Sequence, residues 1–553
     1  MNLSNGKAQK NNNHLIEVRS ISFKYNNNAR RALSNVSFFV DQGERIAILG
    51  HNGSGKSTLV KILGALLDPD EGFYFIDGQN LKDINPKKLR STIGMVFQDP
   101  ENQIVAAMVQ DDIAFSPENQ GLPSNEIQER VDKALNATGL QHKKNSAVHE
   151  LSGGEKQRLA IAGALASHAK CLILDEPTAM LDPQGRLDVE NALKKIHSNG
   201  TAIIQVTHQI ENFDDIQRIL ILSHGEISWQ GDFNGFIKNS ERLGFELPDA
   251  YKIGSLDINY IARNFKGASN QINAGEKIKS GNEFEIKNLL FKFGENKPAL
   301  DNINAVIKKS QWISIIGRTG SGKSTLVQHL NALYKIQQGE IFFDNMPLAQ
   351  HGQDLKSLRQ KVGLVFQNPE EQLFSPNVHD ELAFAPRNAG FKNKELEDAI
   401  NYSLDCVGLD KNFLTRNPLA LSGGERRLVA IASVLACKPE CLILDEPLAG
   451  LDASYQKKIL ELLKSLRDSG RTIIMITHDL KTALNYSDEI MILNNSKLVQ
   501  IDTPENVLKK LTEILNPDVL PDILKISAQI HELNRDFPLT YDYKKFMSCI
   551  SQV

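Results

Sequence analysis

The chain has 553 residues, too many for one hydrophobic core, and a hydrophobic fraction of 41% beside 24% charged residues is that of a globular protein. No apolar run approaches the ~18 residues that span a bilayer, and a net charge of −4 offers no global attraction to nucleic acid or anionic lipid. Five cysteines, an odd number, argue for a reducing compartment over a disulfide framework, and the Cys437/Cys441 pair reads as buried thiols because Cys441 heads an apolar strand as Cys171 does.

In chain order, residues 1–14 are polar and Asn-rich and read as a disordered tail, with neither a secretion signal nor a lipidation motif. From Leu15 to Tyr25 apolar and polar residues alternate, the pattern of an antiparallel strand with one wet face. The apolar run Arg45–Leu49 then leads into Gly50-His51-Asn52-Gly53-Ser54-Gly55-Lys56-Ser57-Thr58, which fits G-x-x-x-x-G-K-S and opens a helical pattern. Glycines there let successive backbone N–H groups turn inward as an anion nest at a helix N-terminus, where the dipole favours phosphate. Lys56 is expected to reach the β- and γ-phosphates of a nucleoside triphosphate, and the Ser57 hydroxyl to ligate Mg²⁺. Average residue usage gives a chance match roughly once per 20,000 positions.

An apolar strand, Ile93–Gln98, follows, then Asp99–Val105 and a helix-rich stretch. At its end Leu151-Ser152-Gly153-Gly154-Glu155 opens a helical pattern and offers a second helix N-terminus suited to phosphate. Cys171-Leu-Ile-Leu-Asp175-Glu176 is a continuous apolar run ending in carboxylates, as a buried parallel strand with the site at its carboxyl end would be. Asp175 is expected to hold Mg²⁺ and Glu176 to polarise the attacking water. Leu181-Asp182 comes next, and a further strand ends at His208, expected to touch the γ-phosphate.

The whole series then returns. Lys323 lies 267 residues after Lys56 and Asp445 lies 270 after Asp175, so two whole domains stand in tandem. The second copy runs from the alternating strand Phe284–Phe293 through Trp312–Ile316 to Gly317-Arg318-Thr319-Gly320-Ser321-Gly322-Lys323-Ser324-Thr325. It continues with Val362–Gln367, Leu421-Ser422-Gly423-Gly424-Glu425, Cys441–Glu446, Leu451-Asp452 and a strand ending at His478. Tyr25 and Phe293 each close the alternating strand upstream of the glycine-rich loop, where an aromatic either stacks on adenine or belongs to the core. The expected layout is a domain over 15–248, a linker over 249–282 able to span about 100 Å when extended, a domain over 283–516 and a helical tail over 517–553.

Together these residues resemble the ABC ATPase family, from about residue 15 to about residue 515. In that family's terms they are Walker A (Gly50–Ser57, Gly317–Ser324), Q-loop (Gln98, Gln367), signature (Leu151–Glu155, Leu421–Glu425), Walker B with catalytic glutamate, D-loop (Asp182, Asp452) and switch histidine. The resemblance implies an α/β fold: two P-loop domains, each with a RecA-like parallel-sheet core, an antiparallel β subdomain and a helical subdomain, followed by the helical tail. It also implies ATP and Mg²⁺ as ligands, with Ser57, Gln98 and Asp175, and Ser324, Gln367 and Asp445, at the metal. Each ATP is expected between one half's Walker A and the other half's signature.

The segments Glu101–Val105, Asp111–Phe115, Glu371–Phe374 and Asp380–Pro386, with the tail from Leu520, resemble the ATPase subunits of energy-coupling factor importers, which take up vitamins or transition-metal ions. This implies a peripheral place on the cytoplasmic face of the membrane, an integral-membrane coupling subunit and a solute-binding membrane subunit as partners, and no nucleic acid. A coupling helix is expected to dock beside each Q-loop, on Ile104, Val105, Met108 and Phe115 in the first half and Leu373, Phe374, Leu382 and Phe384 in the second. One departure is Leu428, where the first half has Arg158, and it bears on whether both sites turn over equally. A fused sugar-importer ATPase is the nearer alternative. A double-ABC translation factor fits less well, because residues 249–282 hold five Lys/Arg against three Asp/Glu and present no dense basic face.

Overall fold

The computed structural model describes residues 14–551 except 26–30, 52, 180, 209–212, 214, 246, 254–255, 266–280, 295–296, 349–351 and 369–371. The expected disordered tail therefore lies outside the described residues apart from His14, whose ring stacks on Phe39. By its internal contacts the chain divides into Met1–Lys252 and Ile253–Val553.

In the first unit the alternating segments pair as an antiparallel sheet in the order Leu33–Val40, Ile16–Phe23, Glu71–Ile76, Gln79–Asn80. A six-stranded sheet follows the order Glu226–Gly231, Arg218–Ser223, Arg45–Leu49, Ala202–Thr207, Cys171–Asp175, Ile93–Val96, and is parallel except for its first strand. The Cys171–Asp175 strand explains why such runs are apolar throughout. Cys171 and Ile173 enter the core shared with the antiparallel sheet, whereas Leu172 and Leu174 enter the opposite one, beneath the helix Pro183–Ser198. Alternation along a strand buried on both faces leaves no polar position. The helices Val109–Asn119, Ser124–Thr138 and Gly153–Ala166 close a separate small core around Ile113, Leu135 and Leu159.

The second unit repeats both sheets with the same strand orders, and Cys441/Ile443 and Leu442/Leu444 divide between two cores as their counterparts do. Its helical subdomain is Val378–Ala389, Asn393–Val407 and Gly423–Leu435. The tail forms the helices Asp522–Leu533 and Tyr543–Ile550.

The stretch expected as linker is not extended throughout. Asp249–Ile253 and Ile258–Asn264 are helices, and Ile261, Ala262 and Phe265 share a buried cluster with Ile523, Ile530, Phe537 and Phe546 of the tail. Asn534 fastens this contact by donating from Nδ2 to the carbonyls of Ala262 (2.8 Å) and Phe265 (3.2 Å). The apolar spacing of 258–265 is too short to announce a helix alone; burial against the tail supplies the stabilisation.

Candidate functional site

Each glycine-rich loop connects a fully buried strand to a helix, Arg45–Leu49 to Lys56–Leu63 and Trp312–Ile316 to Lys323–Leu330. Gly55 and Gly322 cap these helices in the left-handed region, at φ 104° and 98°, and a Cβ on either would meet a carbonyl oxygen, of Ala32 at 2.6 Å or Ala299 at 2.3 Å. Only glycine fits there. Lys56 Nζ donates to the carbonyls of Gly50 (2.8 Å) and His51 (3.1 Å), and Lys323 Nζ to those of Gly317 (2.9 Å) and Arg318 (3.0 Å), so each lysine lies along its own loop with its charge at the helix mouth. Ser54 Oγ and Ser321 Oγ are buried and, among the described residues, have no hydrogen-bond partner. Gly53 and Gly320 occupy the loop tips with positive φ, and Asn52 lies outside the described residues. Thr319 follows Arg318 in the second loop, and Thr58 and Thr325 follow the serines in the first turn of each helix.

The acidic strand ends stand beside these loops. Burial, then the neighbouring Glu176 carboxylate, pushes Asp175 up to about 6 against the lowering pull of Lys56. Burial also raises Asp445, opposed by a hydrogen bond with the Ser324 side chain. A desolvated carboxylate beside a serine hydroxyl is an all-oxygen donor set of the kind Mg²⁺ takes, and a cation would relieve the cost of its charge. Among the described residues no group of three or more His, Cys, Asp and Glu side chains could hold a metal, so any ion here depends on hydroxyl, carboxamide and phosphate oxygens as well.

Glu176 and Glu446 have φ of 47° and 49°, a left-handed conformation costing roughly 1–2 kcal/mol in a non-glycine residue. Their backbone N–H groups hold the turn by donating to Val206 O (2.8 Å) and Ile476 O (3.1 Å) on the adjacent strand. That strand ends in the histidine. His208 Nδ1 stands 3.1 Å from Glu176 Oε1, at an angle poor for a hydrogen bond, and Gln98 Nε2 reaches Glu176 Oε2 at 3.5 Å. In the second unit His478 Nε2 pairs with Glu446 Oε1, while Gln367 is exposed and its carbonyl accepts from Arg427.

Ser152 and Ser422 are N-caps of their helices, each in a reciprocal capping box with the glutamate three residues on. Gly153 and Gly423 are exposed at these helix starts; Gly154 is half-buried and Gly424 buried. Asp182 and Asp452 cap the next helix, accepting from Gly185 N (2.7 Å) and Tyr455 N (3.0 Å). Arg158, mostly buried, reaches Asp188 at 3.4 Å, whereas Leu428 is buried in the helical core.

Tyr25 is partly exposed, with its hydroxyl 3.3 Å from Thr58 Oγ1, and Phe293 is exposed and edge-on to Phe291 and Tyr334. His51, in the first loop, stacks on Phe245 at 5.2 Å.

The expected docking residues divide. Val105 and Phe374 are both 63% exposed, and Phe374 sits edge-on to the exposed Phe384 at 4.7 Å. Phe115 is exposed too, but Leu373 and Leu382 are buried core residues of the helical subdomain and cannot line a surface groove. Their neighbours on the open side of the turn carry the exposed apolar area instead. Each turn is held by a buried carboxylate not singled out from the sequence. Asp112 Oδ1 accepts from Val105 N (2.8 Å) and Ala106 N (3.0 Å); Glu381 Oε2 accepts from Phe374 N (3.0 Å) and Ser375 N (2.8 Å). Their equivalent places in the two halves were the available signal.

The family profile described as ABC transporter matches residues 33–179 and 300–449. A relative from Caldanaerobacter subterraneus subsp. tengcongensis is 33% identical over 93% of this chain and 96% of its own length, and one from Methanosarcina acetivorans is 31% identical over 96% and 93%. Both carry the name "Putative ABC transporter ATP-binding protein". A similarly named Bifidobacterium longum protein is 35% identical, and the chain spans 64% of its length. A solved structure of CbiO1 from Clostridium perfringens, described as part of the ABC transporter complex CbiONQ, is 32% identical, covering 43% of this chain and 96% of that one with a TM-score of 0.39. With two matched domains built around the same loop, strand end and signature helix, the chain belongs to the ABC transporter family, as an ATP-binding and ATP-hydrolysing protein with two such domains fused in one polypeptide.

Proposed function

We propose that this protein is the energy-coupling ATPase of an importer of the energy-coupling factor type, hydrolysing ATP at two sites to drive uptake of a vitamin or metal ion through membrane partners. The observation that carries the hydrolytic reading is that each unit holds a lysine-lined loop, a buried aspartate and a glutamate–histidine pair together. Neither half is degenerate. Lys56 and Lys323, with the loop amides of Gly50–Gly55 and Gly317–Gly322, bind the phosphates, and Tyr25 and Phe293 offer a ring face to adenine. Glu176 and Glu446 act as general bases on the attacking water, each oriented by its histidine; Gln98 and Gln367 sense the γ-phosphate. The residues that would hold Mg²⁺ are Ser57, Asp175 and Gln98, and Ser324, Asp445 and Gln367. When bound, the ion neutralises charge that builds on the phosphates. Ser152–Gly154 and Ser422–Gly424 offer further helix N-termini suited to a phosphate contact.

The importer type is supported by the post-Q-loop segments, whose exposed Val105, Phe115, Phe374 and Phe384 suit an apolar helix of a membrane subunit. Among the described residues no helix is long and apolar enough to cross a membrane, in keeping with a peripheral place on its partners. The test is co-expression with candidate integral-membrane subunits and assay of ATP-driven solute uptake in proteoliposomes. A chain that hydrolyses ATP but neither co-purifies with such a subunit nor supports uptake would remove the importer reading.

A further inference from the structure

The peptide planes around the Q-loop glutamine are held differently in the two units. In the second, Arg427 of the helix Gly423–Leu435 donates from Nη1 to the carbonyls of Phe366 (3.2 Å) and Gln367. These carbonyls belong to the planes before and after Gln367, so holding both fixes its φ and ψ and with them the direction in which its side chain leaves the backbone. That side chain is exposed. Arg427 itself is only 5% exposed, and a guanidinium makes charge-assisted bonds roughly twice as strong as neutral ones. Gln372 adds a second tie to the same helix. Its Oε1 accepts from Phe366 N (3.3 Å), and its Nε2 donates to Ala430 O (3.0 Å) and Ser433 Oγ (3.1 Å).

In the first unit the place of Arg427 is taken by Gln157, a neutral amide whose Nε2 donates to Phe97 O at 3.4 Å, on the plane before Gln98. Gln103, the counterpart of Gln372, also accepts from the phenylalanine amide, Phe97 N (3.2 Å), but donates to Met95 O (2.9 Å) on the strand rather than to the signature helix. Here Gln98 is half-buried and turns inward, with Nε2 at 3.5 Å from Glu176 Oε2.

We propose that Arg427 is a positioning residue that acts as a brake: it fastens the second Q-loop to the signature helix of its own unit with Gln367 directed to solvent, and the loop must give up one of these bonds before Gln367 can serve hydrolysis. The first unit, with glutamine in place of the guanidinium, carries no such brake. This rests on the reading that Gln98 and Gln367 sense the γ-phosphate.

The experiment compares steady-state ATP hydrolysis by the full chain and its R427Q, Q367A, R427Q/Q367A and Q157R variants. R427Q installs the residue the first unit carries at that place. It is expected to raise kcat roughly two- to tenfold, the worth of one ordinary hydrogen bond, with KM for ATP changed by less than about twofold because the phosphate loops are untouched. A gain in rate is not what damaged packing produces. Q367A should lower kcat, and the double variant should match Q367A, because the arginine acts through that glutamine. Q157R carries the restraint into the first unit and should lower kcat, and it decides the matter if R427Q does not fold. Q367A impaired with R427Q no faster than the parent, or Q157R at the parental rate, would overturn the role of Arg427 alone. Q367A without effect on kcat would overturn the sensing role of Gln367 and this inference with it.

Discussion

Arg45 and Glu190 form an ion pair of 2.7 Å with both side chains buried. The guanidinium also reaches Gln205 Oε1 at 2.7 Å and Asp215 Oδ2 at 2.6 Å, tying the start of the central strand to the neighbouring strand and helix. The second unit solves the same packing problem without charge. Trp312, Leu460 and Met475 stand at the places of Arg45, Glu190 and Gln205, and all three are buried.

That contrast predicts unequal responses to substitution. Glu190→Ala should destabilise the first unit by about 3–5 kcal/mol, since it leaves a buried guanidinium under-compensated. The combined Arg45→Met, Glu190→Leu and Gln205→Met should fall within about 2 kcal/mol of the parent, or above it, because the two most buried charges leave together and Asp215 keeps part of its contact with water. Denaturant titration followed by Trp229 fluorescence in a Trp312→Phe background reads the first unit alone, as the chain has two tryptophans. Equal losses in the two variants would show that packing, not charge, decides.

Asp175 titrates near pH 6, and the sign of its effect follows. Its folded-state value lies above that of an unfolded aspartate, so its contribution favours the folded protein at low pH and is lost as pH rises through about 6. Binding Mg–ATP requires the carboxylate. At pH 6 roughly half a proton should leave Asp175 on binding, with a further contribution from Asp445. Calorimetric titrations in two buffers of different ionisation enthalpy measure this. Asp175→Asn should remove most of the first site's share, and an unchanged proton count would exclude Asp175 as its source.

Replacing both Glu176 and Glu446 by glutamine should leave ATP binding near normal and cut hydrolysis at least ~100-fold, the scale of a lost general base. On the reading that the two sites turn over cooperatively, Lys56→Ala and Lys323→Ala singly should each lower hydrolysis by far more than half. Phosphate release assays decide both points. Independent sites would leave about half the activity in each lysine variant, given two equal contributions.

The glycine-rich loops, the acidic strand ends and the tandem repeat were legible because they rest on local backbone chemistry. Gly55 announces a left-handed cap in any context, and Cys171–Asp175 announces a strand buried on both faces. What escaped depends on distant partners. The Arg45 network is the clear case, since Arg45 and Asp215 lie 170 positions apart. Leu373 and Leu382 were misread as surface because apolar spacing alone does not say which side of a turn faces water.

Val105→Asp with Phe374→Asp should leave folding and basal hydrolysis intact, since both side chains are largely exposed. It should abolish co-purification with a membrane subunit and solute uptake. Loss of soluble ATPase activity in that variant would assign the two residues to their own subdomain and move the docking site elsewhere.

The clip between Asn534 and Ala262 joins positions 272 residues apart, which gives the order of synthesis a structural meaning. A ribosome adding about 5–20 residues per second needs roughly 15–55 s between making the two. For that interval Ile261 and Phe265 have no tail to bury them, although the first unit's chain is already complete. Residues 258–265 are thus tied down only once the tail has been made. A chain ending at residue 516 should be cut rapidly by trypsin at Arg263, a bond the full-length helix protects, and equal cutting rates in the two would show that 258–265 folds without the tail.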